Sequence, residues 1–250
     1  MDQPAAEFRT EDDARRAIVD ACLRMGTLGI NQGRAGNVSV RWHRGRADGL
    51  LVTPSAMPYE RMGVDDIAWL PLAAGAGADD AAPDGSGAGS PGAAGAPSPD
   101  AARASSEWRI HHDVYAARPG FAAVVHAHPP HASALACLPR IQREGIPAFH
   151  YMVAMAGGHD IRCAAYATFG TPALSAHVLA ALRDRRACLL ANHGIVACHA
   201  SLERALALAV EVETLARMYC LALQLGEPAV LEAAQMDEVL ARFGSSAYGR

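Results

Sequence analysis

Residues 124–128 read Val-Val-His-Ala-His and run straight into Pro129-Pro130. Side chains on a strand repeat every two residues, so in an extended run His126 and His128 face the same way. The prolines cannot continue a ladder, which ends the strand and leaves the two imidazoles near a sheet edge where a cleft can open. The run is therefore a buried strand carrying two pre-aligned ligands. In a chain with 11 histidines such a pair is by itself more often structural than metal-bound, so its meaning depends on what surrounds it.

Upstream, Ser105 or Ser106 is placed to cap a helix running to about Arg118, where Pro119-Gly120 stops it. Earlier still, Ala14, Ala17, Ile18, Ala21, Cys22, Met25 and Leu28 recur at helical spacing behind a Thr10 cap. Val38, Val40 and Trp42 alternate with polar residues ahead of a turn and the apolar run 50–53, the pattern of a hairpin, and 67–70 suits a further short strand. Downstream, the pattern predicts a helix over 174–182, two strand halves within 188–198 around Asn192-His193-Gly194, and a helix over 202–225 capped by Ser201. Strands and helices thus alternate with hairpins, predicting an α/β fold in one domain, 1–250, with a mixed, largely antiparallel central sheet flanked by helices. Residues 73–104 hold only Ala, Gly, Pro, Ser and Asp apart from Arg103. They offer too little apolar surface to offset ordering entropy, so they are expected to form a disordered surface insert rather than a boundary between two domains.

Composition removes whole function classes. Net charge is −4 with no basic cluster, which argues against nucleic acid as a partner. The N-terminus lacks an apolar leader core and no run approaches bilayer-spanning length, so no membrane partner is expected and the cytoplasm is the expected compartment. The six cysteines form no Cys-x-x-Cys pair and read as reduced thiols in apolar segments. All 22 basic residues are arginine. Without lysine there is no Schiff base with a carbonyl substrate and no P-loop, so any carbon–carbon chemistry needs another electron sink.

His193 lies in a tight turn beside Gly194 and is the best third partner for His126 and His128, although alone it would pass for a turn histidine bonded to backbone. Three histidines with one open position is the catalytic zinc pattern. Glu107, at the start of the serine-capped helix, either complements the helix dipole or serves the metal as ligand, general base, or each in turn. Gly36-Asn37, Thr53-Pro54-Ser55 and Ser105-Ser106 are singly ordinary turns and caps; jointly they can cradle one phosphate. The other eight histidines, His111 among them, show no comparable spacing and are expected in core or surface roles. Tyr151 reads as a packed phenol in an apolar stretch.

In order along the chain, GINQGRAGNVSV (29–40), LVTPSAMPYE (51–60), SSEWRI (105–110), VVHAH (124–128), HYMVAMAGG (150–158), YATFG (166–170) and HG (193–194) resemble the class II aldolase/adducin family. The likeness is strongest to its L-fuculose 1-phosphate aldolases, with ribulose-phosphate 4-epimerases as relatives. It implies zinc, one per subunit, on His126, His128 and His193, other divalent metals being possible. It makes Glu107 a displaceable ligand and the acid/base, and Gly36, Asn37, Ser55, Ala56, Ser105 and Ser106 the phosphate pocket. Tyr151 matches a tyrosine presented to a neighbouring subunit's site for proton transfer at the aldehyde oxygen. Tyr248 resembles a mobile C-terminal tyrosine that contacts substrate. A homotetramer with sites at its interfaces is implied, together with retro-aldol cleavage of a ketose 1-phosphate, through an enediolate, to dihydroxyacetone phosphate and an aldehyde such as L-lactaldehyde. Gly194-Ile195-Val196 follows the aldolase pattern rather than the Gly-Pro-Phe of the epimerases; a ribulose-phosphate 4-epimerase or a related ketose-phosphate lyase is the alternative. A non-catalytic adducin-like interaction domain is the further alternative. Ala56 stands where the family usually has glycine, and Asn192 also departs from the pattern.

Overall fold

The computed structural model describes residues 7–72, 100 and 103–245. Helix α1 (Glu11–Thr27) begins where Thr10 predicts. The Thr10 hydroxyl accepts the Asp13 N–H (3.1 Å) and the Asp13 carboxylate accepts the Thr10 N–H (3.2 Å), a reciprocal capping box. Its buried stripe of Ala14, Ile18, Ala21, Cys22 and Met25 packs on strand β1 (Asn37–Arg44). The hairpin continues into β2 (Ala47–Val52), and β3 (Ala68–Pro71) pairs alongside it.

Helix α2 (Trp108–Ala117) leads into β4 (Ala123–Ala127), followed by helices α3 (Pro130–Ala136) and α4 (Pro139–Glu144). Then come β5 (Cys163–Ala164), α5 (Pro172–Ala181), β6 (Ala187–Leu190), β7 (Gly194–His199), α6 (Leu202–Leu225) and α7 (Ala233–Ser245). The seven strands form one sheet in the order β3-β2-β1-β4-β7-β6-β5, antiparallel throughout except for the β5–β6 pair. The expected mixed α/β sheet flanked by helices is therefore present.

The period-two alternation of the strands divides the core. Val38, Val125, Ile195 and Ala197 face α1, α3 and α6, while Val124, Cys188, Val196 and Cys198 face α2 and α5. His126 shares the face of Val124, which points it toward the side of the sheet that α2 covers. β4 lies in the middle of the sheet between β1 and β7, so residues arriving from three elements converge at its C-terminal end.

Several expectations need adjustment. Helix α2 starts at Trp108 with Glu107 at its N-cap, so neither Ser105 nor Ser106 caps it. The Ser105 hydroxyl instead accepts the Glu107 N–H (3.2 Å) two residues on. β4 ends at Ala127, leaving His128 one residue beyond it, and Pro130 opens a helix after closing the strand. Helices α3, α4 and α7 and strand β5 were not expected. Within 73–104 only Asp100, Arg103 and Ala104 are described, and Ala104 is buried and bridged to Pro54; the remainder of the expected insert lies outside the described residues, as does Tyr248. Among the described residues all six cysteines are free, with Cys22, Cys188 and Cys198 buried, and no helix is long and apolar enough to cross a membrane.

Candidate metal and active centre

Strand pairing assembles the centre. Asn37, the first residue of β1, pairs with His126 of β4, and Ala127 pairs with Ile195 of β7 just after His193. His193 sits in the turn between β6 and β7, where Asn192 adopts a left-handed φ of 55°, a conformation asparagine tolerates better than most residues. The Asn192 side chain also accepts a hydrogen bond from Gln142 (2.9 Å). This turn aims His193 back over the end of β4. Gly194 is required there, because a Cβ would strike the Ala127 carbonyl and lie 2.8 Å from the His128 ring.

The three imidazoles form an edge-on triangle with centroid separations of 4.7–4.8 Å. His126 Nε2 is 2.9 Å from His128 Nε2 and 3.2 Å from Glu107 Oε2, and His193 Nε2 is 3.4 Å from Glu107 Oε1. One ligand atom from each of Glu107, His126, His128 and His193 lies within 4.8 Å of every other. The expected ligand set is thus brought together.

Two features fit a divalent cation. His126 Nδ1 donates to the Ile195 carbonyl (2.8 Å), which in the neutral ring leaves Nε2 as a bare lone pair facing the others. Among the described residues the buried Glu107 Oε1 has no hydrogen-bond partner, a costly state for a carboxylate unless a cation or substrate completes it. Burial raises the Glu107 pKa, but His126, His193 and the Asn37 amide outweigh it and hold the carboxyl well below its usual range. Burial, with His126 and His193 nearby, pushes His128 down to about 3; burial and His126 push His193 down to about 4. Both rings are held in the neutral form that binds metal. For His126 burial acts downward too, yet Glu107 and the Ile195 carbonyl raise it overall. Three nitrogens and one carboxylate form a donor set suited to zinc and to neighbouring divalent ions.

Around the cluster lie the residues expected to form the phosphate pocket. Ser55 N–H donates to the Arg103 carbonyl (2.9 Å) and Ser105 N–H to the Thr53 carbonyl (2.9 Å), lacing the 53–56 turn to the segment before Glu107. The Val38 N–H donates to the Thr53 hydroxyl (3.2 Å), which ties both to Gly36-Asn37. A Cβ on Gly36 would stand 2.6 Å from the His126 carbonyl oxygen, so glycine is needed where this loop crosses β4. Ser55, Ala56 and Ser106 are exposed, and Gly36, Asn37 and Ser105 are buried.

Ala56 does adopt a left-handed φ, 56°. An L-residue there costs about 1–2 kcal/mol, so Ala56→Gly will stabilise the protein by about 0.5–1 kcal/mol after the added unfolded-chain entropy. A urea midpoint that fails to rise would show the loop to be unstrained.

Sequence reasoning missed three contributors. Arg34 donates to the Ala56 carbonyl (2.9 Å), laying a guanidinium beside the 53–56 turn. Asn31 accepts the His128 N–H (3.1 Å) and donates to Tyr59 (3.1 Å), whose hydroxyl bonds the Gly36 carbonyl (2.5 Å). His111, expected in a core or surface role, is wholly buried and reaches Asn37. Tyr151 is outside the cluster: it starts a 3₁₀ turn (Tyr151–Ala156), stacks on His150 at 4.9 Å, and is 49 % exposed.

With the geometry in view, comparison with known proteins gives a consistent answer. The 5-methylthioribulose-1-phosphate/5-deoxyribulose-1-phosphate aldolase of Rhodospirillum rubrum is 47 % identical over 229 residues, 92 % of this chain and 90 % of that protein. The L-fuculose phosphate aldolase of Escherichia coli is 44 % identical over 229 residues, 91 % of this chain and 93 % of its own. A solved L-fuculose 1-phosphate aldolase superposes with a TM-score of 0.76 at 33 % identity, covering 96 % of this chain and all of the other. The family model for the class II aldolase and adducin N-terminal domain matches residues 16–220, and the chain belongs to that family.

Proposed function

We propose that this chain catalyses metal-dependent retro-aldol cleavage of a ketose 1-phosphate between C3 and C4, releasing dihydroxyacetone phosphate and a short aldehyde. The observation that carries this reading is the convergence of Glu107 with His126, His128 and His193, one buried carboxylate oxygen lacking a hydrogen bond among the described residues. His126, His128 and His193 would hold a divalent ion of the zinc type, with Glu107 able to join them, and the bound ion would supply the electron sink that a chain without lysine cannot draw from a Schiff base. Glu107 moves the proton at C3 of the three-carbon fragment. Gly36, Asn37, Ser55, Ala56, Ser105 and Ser106 bind the phosphate, with Arg34 adding the positive charge that backbone and hydroxyl donors lack. The exposure of Tyr151 supports its use in a neighbouring site of a homotetramer, where its hydroxyl handles the proton of the C4 hydroxyl. Tyr248 is proposed as a further substrate contact from the C-terminus.

The phosphate end is common to L-fuculose 1-phosphate and 5-deoxyribulose 1-phosphate; the aldehyde end distinguishes them. Cleavage releases L-lactaldehyde from the first and acetaldehyde from the second. Purified protein supplied with zinc will release dihydroxyacetone phosphate from at least one, read by coupling to NADH-dependent reduction. Release from neither would remove the aldolase assignment, and a C4-inverted pentulose phosphate would replace it with the epimerase. Protein that takes up no divalent metal would favour the non-catalytic scaffold.

A further inference from the structure

Helix α2 carries Glu107, His111 and Tyr115 at four-residue intervals from its N-cap, and β1 carries Asn37 and Ser39 two residues apart. Each spacing puts its residues on one face, and the two faces meet. Tyr115 OH lies 2.8 Å from Ser39 Oγ, Ser39 Oγ lies 2.6 Å from His111 Nδ1, and His111 Nε2 lies 2.5 Å from Asn37 Oδ1. Asn37 Nδ2 then donates to Glu107 Oε2 at 3.0 Å. Tyr115, Ser39 and His111 are wholly buried, and Asn37 and Glu107 nearly so.

The direction of this chain follows from the chemistry of its ends. An ionised carboxylate only accepts, so Asn37 must turn its NH₂ to Glu107 and its carbonyl to His111, which puts the imidazole proton on Nε2. A wholly buried ring with no acid in contact stays neutral, so Nδ1 is an acceptor and the Ser39 hydroxyl must donate to it. Ser39 Oγ is then free to accept from Tyr115, whose hydroxyl also lies 3.0 Å from the Ser39 carbonyl. From Ser39 onward every donor points toward Glu107. An asparagine amide without His111 could turn its oxygen to the carboxylate or swing away; with His111 it has one satisfied orientation.

We propose that His111 is a positioning residue: acting through Asn37, it locks Glu107 in the orientation that holds Oε2 beside His126 and turns Oε1 toward His193. Its kinetic consequence rests on the aldolase reading, in which Glu107 carries the proton.

The test compares His111→Phe and His111→Gln in the wild-type and Asn37→Ala backgrounds, with zinc content, kcat and KM measured for each. His111→Phe will keep its metal and lower kcat by about 100-fold, the scale of a misplaced catalytic group. His111→Gln, which retains a donor for Asn37 Oδ1, will recover at least about 10-fold of that loss. In the Asn37→Ala background His111→Phe will have less than about a 2-fold further effect, because the intermediary is gone. An unchanged kcat, or an undiminished loss in that background, overturns the proposal. Should His111→Phe not fold, Ser39→Ala withdraws the hydroxyl that fixes the tautomer, and about a 10-fold loss, again absent in the Asn37→Ala background, is expected. A crystal structure of the zinc-loaded His111→Phe or Ser39→Ala protein decides the matter without turnover: Asn37 displaced from Glu107 supports it, and an intact Asn37–Glu107 hydrogen bond overturns it. A wild type inactive on every ketose phosphate would defeat the aldolase reading alone, leaving the crystallographic arm to judge His111.

Discussion

His126→Ala protein will purify without stoichiometric zinc and without detectable aldol cleavage, and added metal will not restore it. His126 is the most deeply held member of the cluster: it is wholly buried, its Nδ1 is committed to the Ile195 carbonyl, and its Nε2 is close to both His128 and Glu107. Loss of a partner one shell further out typically costs 10–100-fold in metal affinity, so loss of a ligand itself will weaken zinc binding by at least about 100-fold. The same change leaves the buried Glu107 carboxylate without its nearest imidazole, an arrangement that destabilises proteins by about 3 kcal/mol or more. The metal-free variant will therefore melt below the metal-free wild type. Wild type stripped with a chelator will lose activity and regain it on zinc addition, which separates absence of metal from damage to the fold. Retention of one zinc per chain by His126→Ala would mean that the ion sits elsewhere.

The histidines of the cluster are legible as candidate ligands because each signal is local. Two histidines one residue apart on a strand share a face whatever the sheet order, and a histidine beside glycine in a tight turn projects from a strand end. Their convergence with Glu107 was not local, since it depends on β4 lying between β1 and β7, and only likeness to a known family supplied it. The start of α2 was misjudged for a related reason. Serine is the better N-cap by intrinsic preference, but Glu107 takes that position (φ −103°, ψ 14°) with no side-chain cap bond, and its carboxylate turns inward to the imidazoles instead. His111 was invisible: its partners Ser39 and Asn37 lie 72 and 74 residues away, and no spacing rule joins a helix residue to a strand at that distance. Pro130 reads from sequence only as the end of a strand, yet it occupies the first position of α3, as Pro139 does of α4, where a missing N–H costs nothing.

Glu107→Gln will keep its zinc yet lose about 10²–10⁴-fold in kcat, the range that a positioned acid/base group contributes. Glutamine preserves the volume of the side chain, and its carbonyl oxygen can still accept from Asn37 Nδ2, so the packing at the head of α2 survives. The three histidines remain as ligands, which is why metal content should hold while turnover falls. What disappears is the capacity to take up and return a proton at a carboxylate that faces the imidazoles. A half-reaction isolates that step: with dihydroxyacetone phosphate alone in heavy water, wild type will exchange a C3 proton for deuterium, followed by NMR, and Glu107→Gln will not. Slow cleavage with normal exchange would move the defect away from C3 and take Glu107 out of that role. Loss of both together with loss of zinc would mean that the carboxylate is needed chiefly as a ligand. Retained zinc with both rates depressed is the outcome that identifies Glu107 as the proton carrier, because only then do the metal and the acid/base separate into different residues of one site.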